Sequence, residues 1–168
     1  LDASNYYIPS FLKSSLLKVI FVALIYNILA FLSFRITVSP DNISPIFPEA
    51  GFALAAVMII GRRALIGIWI GSFIANMFSF WDVCKMLDKS LLETILSASF
   101  VATGVVIGAA IASYMINLFN KGEYPLRNGY GVIIFVGVSI VYCAICSLLG
   151  VSAISFFGLN TPNHFISN

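Results

Sequence analysis

Few side chains in this chain could carry chemistry, and they lie far apart. Glu49 follows Pro48 and precedes Gly51 at the start of an apolar run. A carboxylate there has two readings. It can be ordinary helix-start chemistry, favoured by the positive end of the helix dipole. It can also face a cavity receptive to a cation, a proton or a polar ligand, because ionisable groups near membrane depth are functional candidates by default. Asn76 sits among apolar residues and seeks a partner across a helix interface, either for packing or for ligand contact. Arg62 and Arg63 are adjacent cations between two apolar runs, suited to lipid phosphate or to a coupling contact. Cys143 and Cys146 are one helical turn apart, but a metal site needs further ligands and none lies near in sequence. They read as small packing residues. His164, the one histidine, lies in a polar tail. Asn42-Ile-Ser44 has the form of a glycosylation sequon.

No P-loop, nucleophile elbow, His-Glu-x-x-His or catalytic carboxylate pair occurs in the sequence. We therefore expect no enzyme, no catalytic residue, no metal site and no cofactor.

The elements that must position these residues follow from composition. The 168-residue chain is 60% hydrophobic and 10% charged, with a mean hydropathy of +1.01. A soluble domain carries about 25% charged residues. This chain cannot cover its surface with polar groups and belongs in a bilayer, where each segment must close its own backbone hydrogen bonds. Its apolar runs are long and lack period-two alternation, which favours helices over a barrel. The expected fold is all-α, a polytopic transmembrane helical bundle of about five spans. The net charge of +2 is scattered, so no nucleic-acid surface is expected.

The spans fall at about 16–34, 45–60, 64–81, 91–119 and 130–157, in one integral-membrane domain over 1–168. Three prolines at 40, 45 and 48 predict an extended connector and then a helix start. Span two, of sixteen residues and about 24 Å, is shorter than the hydrocarbon thickness of about 30 Å. It must thin the bilayer, be shielded by neighbours, or re-enter. Gly61 suits its C-terminal cap, and the two arginines suit the negative end of its dipole. A polar turn is expected over Asp82, Lys85, Asp88 and Lys89, and Ser90 with Glu93 makes a capping box. Gly67 and Gly71, with Ser72, Ala75 and Asn76, form the small face of span three. Gly104 and Gly108 do the same in span four. Small residues let helix backbones approach closely, so these four glycines are expected at packing interfaces.

Lys and Arg set the orientation. Lys13, Lys18, Arg62, Arg63, Lys121 and Arg127 fall on one side, and Arg35, Lys85 and Lys89 on the other. Six against three puts the N-terminus in the cytoplasm. If span two only re-entered, the asymmetry would vanish, which favours a true crossing.

Three segments carry a resemblance. They are Phe47-Pro48-Glu49-Ala50-Gly51-Phe52-Ala53-Leu54-Ala55-Ala56, then Gly61-Arg62-Arg63-Ala64-Leu65 with Gly67, then Gly71-Ser72-Phe73-Ile74-Ala75-Asn76. In order and spacing this resembles the first type of bacterial membrane-associated sensor domain, the MASE family. The loop Tyr124-Pro125-Leu126-Arg127-Asn128 resembles that family's link between its fourth and fifth spans. Phe47 stands where the family commonly has Trp, and Glu49 where a small residue or Pro is frequent. The family has about eight spans, so the chain resembles its N-terminal two-thirds.

The resemblance implies a sensory input module in the bacterial cytoplasmic membrane, passing a stimulus to a cytoplasmic output domain such as a histidine kinase or a cyclic-di-GMP enzyme. Its partners would be the lipid bilayer, that kinase or cyclase, a membrane protein or small ligand as stimulus, and a second copy, giving a homodimer in full-length form. Pro48, Glu49, Gly51 and Asn76 are the candidate ligand or signalling residues. Arg62 and Arg63 are the candidates for topology or coupling. Two other readings compete: a substrate-binding membrane subunit of a vitamin or metal uptake transporter, and an assembly subunit packing on larger membrane partners.

Overall fold

The computed structural model describes residues 14–35, 47–120 and 129–157. Five helices follow one another: α1 (Ser15–Arg35), α2 (Pro48–Ile60), α3 (Arg63–Met86), α4 (Leu91–Phe119) and α5 (Gly129–Phe156). There is no strand among the described residues. Four of the helices are long and apolar enough to cross a membrane, and α2 is shorter. At thirteen residues α2 measures about 20 Å. The chain is thus an all-α bundle of membrane-spanning type.

The helices pack through small residues. Gly67 of α3 meets Val19 and Val22 of α1, and Gly71 meets Tyr26. A methyl group added at Gly67 would lie 2.6 Å from the Val19 carbonyl oxygen, closer than atoms tolerate. The rising pairs 19–67 and 26–71 show that α1 and α3 run parallel. Gly104 and Gly108 of α4 meet Leu149 and Tyr142 of α5, so those helices run antiparallel. Between α3 and α4, Trp69 Nε1 donates to Thr103 Oγ1 at 3.2 Å. The main packing runs in the order α1, α3, α4, α5, and α2 touches all four.

α2 begins beside Ser33, near the end of α1. It finishes at Gly61, one turn of α3 before Gly67 meets Val19, near the start of α1. Short as it is, it travels most of the height of its neighbour. Its buried residues are Ala50, Ala53, Leu54, Ala56 and Val57, and their small volumes let it lie close to four partners.

The α2–α3 hairpin turns on two residues. Gly61 has φ 82° and ψ −161°, a conformation open essentially to glycine alone. Its N–H caps Val57 and its carbonyl receives the Ala64 N–H at 2.9 Å. α3 continues through Asp82 and Lys85 to Met86, five residues past the expected end at Trp81. Lys85 lies over the Trp81 ring at 4.8 Å and carries positive charge into the last turn, where the helix dipole favours it. The turn itself is narrower than expected. Asp88 takes a left-handed φ of 52°. Lys89 N–H bonds the Cys84 carbonyl at 2.9 Å and Asp88 N–H the Lys85 carbonyl at 3.3 Å, which makes a Schellman end with aspartate in the usual glycine place. The capping box at α4 forms: Ser90 Oγ accepts from the Glu93 backbone, and the Glu93 carboxylate from the Ser90 backbone at 2.9 Å.

Several expectations fall outside the described residues. These are the connector before Phe47 with Pro40 and Pro45, the sequon at Asn42, the loop Tyr124–Asn128, His164, and Lys13, Lys121 and Arg127 of the charge count.

Candidate functional site

Glu49 lies in the first turn of α2, after Pro48 at the helix start. Proline suits that place because its missing N–H would have no partner in the helix. Phe47, at the cap position, supplies no side-chain acceptor. The Glu49 carboxylate accepts from its own backbone N–H instead. Its main partner comes from α1: the Ser33 hydroxyl donates to Glu49 Oε2 at 2.6 Å. Ser33 is buried, and its alternative acceptor, the Leu29 carbonyl, is farther at 3.2 Å. A neutral hydroxyl is the carboxylate's only side-chain donor among the described residues. The site therefore holds a half-buried acid with spare acceptor capacity and, among the described residues, no ion-pair partner.

Asn76 lies on α3. Its Nδ2 donates to the Ser72 carbonyl at 2.7 Å and to Ser72 Oγ at 3.2 Å, both on its own helix. Ser72, fully buried, also meets the Tyr26 hydroxyl of α1. Tyr26 stands within electrostatic reach of Glu49. The two residues singled out in the sequence are thus joined indirectly. Ser33 with Glu49 and Tyr26 with Ser72 and Asn76 make one polar seam where α1 meets α2 and α3.

Gly51 is not part of that seam. It is exposed, and a side chain added there would meet nothing within 4 Å. Two residues along a helix point about 200° apart, so Glu49 and Gly51 cannot face the same cavity. Pro48 is half-buried beside Glu49. Arg62 and Arg63 are exposed at the other end of α2, about 20 Å of helix away from the acid.

Sequence reasoning missed Tyr26, Ser33 and Ser72 as members of the seam. Their common face shows only in the fold: Val22, Tyr26, Ala30 and Ser33 are the buried residues of α1 and recur every three to four positions. That spacing marks one helix face. The partners of Lys89, placed in the polar turn, were also missed. Lys89 pairs with Glu93 at 3.4 Å and donates to the Phe157 carbonyl at the end of α5, tying the start of α4 to the end of α5. Cys84 is buried, Cys143 exposed and Cys146 partly buried, and no group of three or more His, Cys, Asp or Glu side chains forms among the described residues.

No match was found among curated proteins or among solved structures. A family model does match, MASE1, over residues 18–167. With four helices of membrane-spanning length and a match covering nearly the whole sequence, the chain belongs to the MASE1 family, the membrane-associated sensor domains of signalling receptors.

Proposed function

We propose that this domain is the input module of a bacterial receptor in the cytoplasmic membrane, with its N-terminus inside. It passes its stimulus to a cytoplasmic output domain such as a histidine kinase or an enzyme of cyclic-di-GMP turnover, and it acts as a homodimer in the full-length protein. Family membership over residues 18–167 is the observation that carries this reading. The seam at the α1–α2–α3 contact supports a place for the stimulus to act.

A stimulus can shift a bundle only if it binds two arrangements unequally. The Ser33–Glu49 contact suits that requirement, because it ties the short α2 to α1 through one polar bond. Interhelical hydrogen bonds of this kind contribute about 0.6–1.7 kcal/mol, enough to change a two-state ratio roughly three- to eighteenfold. A cation, a proton or a polar ligand that claims the Glu49 carboxylate competes with Ser33 and frees α2. Asn76 and Ser72 report the same event on α3.

The test uses the full-length receptor at normal membrane abundance. Glu49→Gln removes the charge while keeping the shape, and Asn76→Ala removes the amide. Each should change the basal output or the dose of stimulus needed by several-fold. An unchanged response in both variants would show that signalling does not pass through this seam.

A further inference from the structure

Tyr142 is 2% exposed, near the middle of α5. Its hydroxyl is the one buried side-chain oxygen or nitrogen without a hydrogen-bond partner among the described residues. The buried hydroxyls and amide elsewhere are paired: Ser33 with Glu49, Ser97 with Thr94, Ser113 with Ala110, and Asn120 with Ile116. A buried hydroxyl left unpaired is destabilising, and no bulk solvent reaches the middle of a bilayer to relieve it.

The surroundings of that hydroxyl are polar in kind. The Tyr142 ring fills the notch at Gly108 of α4, where an added methyl group would lie 3.0 Å from Cε2. Cys146, one turn along α5, faces the same notch, with Sγ 3.9 Å from that position. Tyr26 approaches from α1, its ring seated on Gly71 and its hydroxyl on Ser72. The Cys146 thiol is the Tyr142 hydroxyl's nearest polar neighbour, close enough for a weak interaction but without the geometry of a hydrogen bond, and Tyr26 stands within electrostatic reach of both. Two helices, α1 and α5, thus bring two phenols and a thiol into one region of the interior.

We propose that the Tyr142 hydroxyl, with Cys146 beside it, is a binding site for one neutral oxygen acceptor. That acceptor is a water molecule or the carbonyl or hydroxyl oxygen of a small uncharged molecule. Neutrality follows from the lining. Among the described residues no cation acts on Tyr142, and the Glu49 carboxylate lies within electrostatic reach of Tyr26. Small size follows from the glycine notches, which the two tyrosine rings already occupy. The proposal holds whether or not the bundle serves as a receptor input.

The experiment is thermal unfolding of the intact membrane protein in detergent, with Tyr142→Phe alone and in a Cys146→Ala background. Phenylalanine keeps the ring in its notch and removes only the hydroxyl. With an acceptor in place, the midpoint should fall by about 2–4 °C in both backgrounds. A rise or no change in the wild-type background shows a hydroxyl that meets nothing and overturns the proposal. A fall that disappears in Cys146→Ala makes the thiol the partner and overturns it equally. Mass spectrometry of small molecules released on unfolding separates the sources. A stoichiometric organic compound from wild type but not from Tyr142→Phe identifies a ligand; a fall in midpoint with no such compound identifies water.

Discussion

Glu49 depends on Ser33 for its place in the bundle. An acid half-buried among apolar helices needs donors, and the Ser33 hydroxyl at 2.6 Å is the donor that another helix provides. Removing Ser33 therefore strands the carboxylate, whereas removing both groups leaves nothing unsatisfied. Ser33→Ala and Glu49→Ala should each lower stability by about 1 kcal/mol, and the double variant should cost less than their sum. The coupling expected from the cycle is about 0.6–1.7 kcal/mol. Additive losses in equilibrium unfolding would show that the pair does not act as one unit. Asn76 works differently, since both its bonds stay within α3. Its contribution to joining helices passes through Ser72 to Tyr26, so its variants should affect stability less than those of Ser33.

At the scale of elements, glycines decide how closely the helices approach, and they are not equivalent. Gly67 sits under the Val19 carbonyl, a backbone atom that cannot swing aside. Gly51 has open space around it on α2. Gly67→Ala should force α3 away from α1 and cost about 1–3 kcal/mol. Gly51→Ala should gain up to about 1 kcal/mol, because alanine loses less conformational entropy in a helix than glycine does. Unfolding midpoints of the two variants should move in opposite directions, and a shared direction would refute the packing geometry. The same contrast explains why α2 can be short. Its apolar surface is covered by small contacts with four helices, so it does not meet the bilayer alone. The junction that follows it is equally particular: the backbone at Gly61 excludes other residues, whereas the turn after α3 manages with Asp88 in a left-handed conformation.

At the scale of the whole molecule, burial is uneven. Half of the apolar stretch of α4 is covered within the bundle, against 11% for α5. α4 is the axis, and α5 offers its outer face, with Ile133, Ile140 and Leu148, to lipid or to other membrane helices. The bundle also separates its charges. Arg62 and Arg63 lie at the end where α1 starts, and Arg35 and Lys89 at the other. With the N-terminus inside, single cysteines at positions 62 and 63 should resist a membrane-impermeant thiol reagent in intact cells. They should react once the cytoplasmic face is opened. Labelling from the periplasmic side would invert the proposed orientation and with it the route to a cytoplasmic output.

Sequence alone determined the solvent, the helical class and most helix ends. Hydrophobic runs in a chain so poor in charge admit few other solutions, and Pro48, Gly61 and the Ser90–Glu93 box mark ends by local chemistry. It also pointed to Glu49 and Asn76, because a lone polar group in an apolar run stands out. Tertiary structure alone decided their partners. In helices apolar on every side, hydrophobic periodicity offers no contrast between a face toward lipid and a face toward protein. Ser33, Tyr26 and Ser72 became members of a seam, and Gly51 was excluded from it, only when α1, α2 and α3 were placed side by side. Contacts between residues distant in sequence depend on rotation and depth of whole helices, which no local pattern encodes.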